Sequence, residues 1–134
     1  MKTHALRLKP NQDLKEELKK FSKENEISAG FIITCVGSLN EATLRLADEN
    51  ITKTFAEKFE IVSLVGTFSK DGIHIHISLA DQHGKVIGGH LKEGCKIYTT
   101  AEIIIGETDE FNFTREFDEE TGFKELEIKK NPQS

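Results

Sequence analysis

Residues 72 to 91 read GIHIHISLADQHGKVIGGHL, and how the two arms of this stretch pair decides the fold. From 73 to 80, isoleucine or leucine alternates with His74, His76 and Ser78, the period-two pattern of a strand with one apolar face. Ile73, Ile75, Ile77 and Leu79 make the core face, so the histidines point the other way. Asp81-Gln82-His83-Gly84-Lys85 reads as a tight turn, because Asp and Gly suit a type I turn closed by a left-handed glycine. With Gln82-His83-Gly84 as the loop, Asp81 opposes Lys85. Counting back sets His76 opposite His90, with His74 diagonal to it on the same face. Directly opposed Cβ atoms stand about 5 Å apart and diagonal ones about 7 Å, so three imidazoles can converge on one ion.

Two readings of this cluster stand on sequence alone. In the first, His74, His76 and His90 bind a metal. Zinc is the default, although nickel, copper and iron also accept imidazole. Three protein ligands leave a fourth position for water, substrate or a residue of another subunit. In the second, His74 and His76 are polar residues on a solvated sheet face. A bulge at Gly88-Gly89 would favour the second, since a one-residue slip turns His90 to the opposite side. His83 lies in the turn and is read as solvated. His4, in THALRLK, has no evident partner.

Working outward, residues 3 to 9 alternate weakly and predict a first strand. A helix follows Pro10, with Asn11 as N-cap, Leu14, Leu18 and Phe21 as its apolar stripe, and an end near Asn25. Residues 30–36 are apolar and β-branched, hence a buried strand, and Gly37-Ser38 is expected to break it. Residues 42–47 form the next strand, and 48–56 a loop with some strand. Residues 59–68 follow, then the hairpin signal Asp71-Gly72. Beyond the histidine hairpin come strands over 96–105, 111–117 and 123–128. The expected fold class is therefore α+β: one domain over 1–128, a mostly antiparallel sheet of about seven strands with one early helix, and a tail over 129–134. The helix should cover one sheet face. The other face is only partly polar, which suggests burial against another subunit.

At 134 residues the chain is long enough for one domain with a real core. Charged residues make up 31% and apolar ones 37%, as in ordinary globular proteins. No apolar run approaches the roughly 20 residues that cross a bilayer, and MKTHALRLKP lacks a signal-type stretch, so a cytoplasmic location is the default expectation. Cys35 reads as a small core hydrophobe and Cys95 as more exposed. Neither sits in a CxxC pair, so no disulfide or thiolate metal site is expected. The net charge is −5, with nine acids between 107 and 127 against Arg115 and Lys124. Polyanion binding requires basic groups that displace counterions, so this balance argues against direct DNA contact. Lys15, Lys19, Lys20 and Lys23 alternate with Glu16, Glu17 and Glu24 and read as a solvated helix face. Gly84, Gly88, Gly89 and Gly94 fit no phosphate-loop pattern and are read as turn and bulge positions.

EIVSLVGTF, GIHIHISLADQHGKVIGGHL, YTTAEIIIG and FTREFDEETGFKEL, in that order, resemble the PPC (plants-and-prokaryotes-conserved) domain over nearly the whole chain. The resemblance implies a compact α+β fold that assembles as a homotrimer. It also implies metal binding at the positions of His74, His76 and His90. Glu102 and Arg115 fall in matching motifs without a role; by local pattern Arg115 is expected to form a structural ion pair with a nearby acid, with an anion clamp as the alternative. In plants the domain mediates self-association while an AT-hook contacts DNA. This chain has no Arg-Gly-Arg core, so DNA binding is not carried over. Three functions follow for testing: a homotrimeric binding or scaffold module with a three-histidine metal site, a metal-dependent hydrolase-type enzyme with Asp81 or Glu102 as base, and a DNA-associated regulator acting through partners.

Overall fold

A computed structural model describes residues 1–48 and 50–132. In chain order its elements are β1 (Lys2–Leu8), α1 (Leu14–Glu24), β2 (Gly30–Arg45), β3 (Thr52–Phe55), β4 (Phe59–Ser69), β5 (Gly72–Ala80), β6 (Val86–Leu91), β7 (Lys96–Glu107), β8 (Phe111–Asp118) and β9 (Phe123–Lys130). Seven strands form one antiparallel sheet in the order β1-β7-β2-β4-β5-β6, with β3 on β2. β2 also pairs with β6, so β2, β4, β5 and β6 close into a ring. β8 and β9 form a separate two-stranded ribbon. The expected α+β architecture is present, with the ribbon as an addition to the sheet.

Period-two alternation explains the core. On β5, Ile75, Ile77 and Leu79 are buried while His76 is exposed. Their side chains join Leu39, Leu44, Phe68, Leu91, Ile97, Ile103 and Ile105 in one apolar cluster. Leu14 and Leu18 of α1 are fully buried in the same cluster and Phe21 packs at its edge, as the helical spacing predicts. Each such aliphatic side chain contributes about 1.5–3 kcal/mol when removed from water.

Departures from expectation have local causes. The helix is capped by Asp13 rather than Asn11: one Asp13 oxygen accepts from the Glu16 amide at 3.0 Å, and the other accepts from the Gly94 amide at 2.7 Å. The second contact is tertiary, so no local pattern discloses it. Asn11 sits at φ 72 and donates its amide to Ile97 O. Gly37-Ser38 does not break the strand. β2 runs through for 16 residues and absorbs its bending in three register shifts against β7. Cys95 is fully buried rather than more exposed, with its thiol donating to Thr43 O at 3.3 Å. Burial pushes both cysteine thiols up to about 11. His4 does have a partner, Glu107, at 2.9 Å. β9 continues through Lys129 and Lys130, which pair with Asn112 and Phe111, so the expected boundary at 128 falls inside a strand. Residues 133 and 134 of the expected tail lie outside the described residues. Among the described residues, no helix is long and apolar enough to cross a membrane.

Candidate metal centre

The histidine hairpin forms in the register that the turn chemistry predicts. Asp81 and Lys85 close it through Asp81 N–H to Lys85 O at 2.9 Å, and Gly84 takes the left-handed φ of 79. One Asp81 oxygen accepts from the His83 and Lys85 amides at 2.8 and 2.9 Å. The His83 amide, foremost, holds the Asp81 carboxyl below its ordinary range. His76 stands opposite His90, and the pairing runs unbroken from there to Ala80 opposite Val86. The bulge considered for Gly88-Gly89 is therefore absent. These glycines serve close approach instead. A Cβ on Gly88 would meet Ile77 O at 2.8 Å, and one on Gly89 would meet Arg45 O at 2.7 Å. Only a strand bare of side chains at both points fits between β5 and β2.

Cross-strand pairing then builds a row on the outer face: Val65 of β4, His76 of β5, His90 of β6 and Arg45 of β2. His74 lies beside it, opposite Thr67. Ring centroids are 5.0 Å apart for His74 and His76, 5.1 Å for His74 and His90, and 5.7 Å for His76 and His90. One ring nitrogen of each lies within 4.8 Å of the others, an arrangement able to hold a metal ion. Around a tetrahedral ion with bonds of about 2.1 Å the nitrogens would stand roughly 3.4 Å apart, so small side-chain rotations would bring all three into ligand distance and leave the fourth position open. Desolvation, followed by the charge of Arg115, lowers His74; desolvation, followed by the charge of Arg45, lowers His90 to about 4. Both rings are neutral at physiological pH, the form that coordinates a metal. The donor set fits a borderline ion such as zinc.

Two clefts border the cluster. One, of about 450 Å³, lies between His74, His90, Arg45 and the ribbon residues Arg115 and Lys124. The other, of about 400 Å³, lies over His76, His90 and Gly88-Gly89. Arg115 makes no carboxylate ion pair among the described residues, contrary to the structural pair expected of it; its guanidinium donates to Thr67 Oγ1 at 3.0 Å and its amide to Asp71 Oδ2 at 3.0 Å. Asp81 and Glu102, the candidate bases, border neither cleft; Asp71 and Glu125 do border the first. Arg45 is the residue that sequence reasoning passed over. It alternates with Leu44 and Leu46 as any solvated residue would, and only the long-range β2–β6 pairing brings it to His90.

Residues 1–109 match the Plants and Prokaryotes Conserved (PCC) domain. The chain belongs to this family. A Bifunctional protein GlmU from Synechococcus sp. is 46% identical over 130 residues, 97% of this chain, and the chain spans 21% of that relative's length. A solved hypothetical protein from Salmonella cholerae-suis aligns with a TM-score of 0.94 and 36% identity, covering 98% of this chain and 95% of that one. A metal-containing protein from Archaeoglobus fulgidus aligns with a TM-score of 0.77 and 29% identity, covering 92% and 91%. Within this PCC domain, the HxH and GGH segments that carry the family resemblance are those whose histidines meet in space.

Proposed function

We propose that this PCC-domain chain is a homotrimeric binding module that holds one transition-metal ion, zinc by default, on His74, His76 and His90. The observation that carries the reading is the convergence of three imidazoles on one outward face. The metal-containing description of the Archaeoglobus relative supports it. Assembly is supported by exposed apolar side chains outside the core, Val36 at 61% and Val62 and Val65 each at 55% exposure. A sheet face of this kind is ordinarily covered by a second copy or a partner. The occurrence of the sequence as a minor part of a longer relative is consistent with a binding module.

The test is metal analysis of purified protein by X-ray fluorescence, with His76→Ala and His90→Ala in parallel. One ion per chain in the wild type and loss of that ion in both variants is the expected result. Equal metal content in all three proteins removes the site. A second reading, metal-dependent hydrolysis, is favoured by the cleft beside His74 and His90 and by the carboxylates of Asp71 and Glu125 on its wall. A three-imidazole zinc with an open position supplies a bound water ionising near pH 7. In that reading Glu125 replaces Asp81 and Glu102 as the residue to substitute first.

A further inference from the structure

The contact between Arg45 and His90 is incompatible with a metal on His90. Arg45 Nη2 lies 3.3 Å from His90 Nδ1. A guanidinium only donates, so Nδ1 accepts and the ring proton of neutral His90 sits on Nε2. Coordination through Nδ1 takes the lone pair that Arg45 uses. Coordination through Nε2 requires the ring proton to move to Nδ1, where one donor then faces another. Either way, an arriving ion separates Arg45 from His90.

The released guanidinium has no established ion pair to return to. Arg45 Nε is already buried without a hydrogen-bond partner, and none of the ion pairs among the described residues uses Arg45 or Arg115. Three neutral imidazoles leave a divalent ion with its full charge. The adjoining cleft carries Arg45, Arg115 and Lys124 against Asp71 and Glu125, so metal loading makes it strongly positive. Two guanidiniums beside an open coordination position are the recognition elements of an oxyanion.

We propose that Arg45 and Arg115 form the anion-receiving half of this centre: once a metal occupies the histidines, Arg45 swings from His90, and a small-molecule carboxylate or phosphate binds across the metal's open position and both guanidiniums. The proposal rests on the three-histidine metal reading and names the ligand class for that site. It makes anion binding metal-dependent.

The test uses cobalt(II)-loaded full-length protein, whose visible absorption reports the metal's shell. Wild type, Arg45→Met, Arg115→Met and Arg45→Lys are each titrated with inorganic phosphate and, separately, with malonate. Cobalt bands should form in all four proteins. Anion should shift the wild-type bands, and either Met variant should weaken that binding by about ten- to a hundredfold. The stronger of the two anions assigns the ligand as phosphate or carboxylate. Metal-free wild type should show no saturable anion binding by NMR shift. Also in wild type, zinc should change the ¹⁵N shifts of His90 and of Arg45 Nε together. Bands that form but ignore both anions, or anion affinity equal in wild type and both Met variants, overturn the proposal. Wild-type protein that forms no cobalt bands instead refutes the metal reading, and this inference with it.

Discussion

His90 occupies a position where three influences meet. It is half-buried, it stands opposite His76, and it receives a hydrogen bond from Arg45. Its folded value of about 4 lies below its ordinary 6.5. Between those two values the unfolded chain holds the proton and the folded chain does not. The residue's contribution to stability is therefore complete above pH 6.5 and is lost as the pH falls toward 4. NMR titration of metal-free protein should show the His90 ring changing with a midpoint near 4. In Arg45→Met the midpoint should rise, because one cation is gone, yet stay below 6.5 because burial persists. A wild-type midpoint near 6.5 would contradict this account. The three histidines were legible in the sequence, since strand alternation and one short turn fix their directions. Arg45 was not, because nothing within its own strand distinguishes it from a solvated residue.

Elements fail or hold here according to what their backbones touch. Leu18 is fully buried on the face of α1, so Leu18→Ala should cost about 2–5 kcal/mol in denaturant unfolding. Gly89 and Gly84 offer a sharper contrast. A Cβ at Gly89 meets the backbone oxygen of Arg45, so Gly89→Ala should prise β6 from β2, lower the melting temperature and reduce metal uptake. Gly84 faces open space, and Gly84→Ala should cost only the left-handed strain of about 1–2 kcal/mol, with metal uptake intact. Equal metal loss in both variants would show that the β2–β6 seam does not shape the site. Alternation predicted the placement of most strands. It misplaced the end of the first half of β2, because a glycine that ends one strand and a glycine inside a bent strand look alike locally.

At the scale of the whole molecule, the exposed valines of β2 and β4 and the metal centre give separate handles. Light scattering should report three times the 15.1 kDa chain mass for wild type and one chain for a Val36→Lys, Val62→Lys double variant. A wild-type monomer would end the homotrimer proposal. Chelation should lower the melting temperature, since a ligand present at about a hundred times its dissociation constant stabilises by about 2.7 kcal/mol. His90→Ala protein should not respond to the chelator, which separates a site-specific effect from a general one.

Short-range pattern determined the helix and the buried faces of the strands and offered the meeting of His74, His76 and His90, which the unbroken pairing past Gly88-Gly89 then decided. Those features depend on periodicity and on one turn whose residues specify its geometry. The tertiary structure decided what surrounds the histidines. Closing β2 onto β6 delivers Arg45, and folding the β8–β9 ribbon toward the β4–β5 turn delivers Arg115. Contacts between segments separated by tens of residues leave no local signature, because each side chain obeys only the pattern of its own strand until the strands come together.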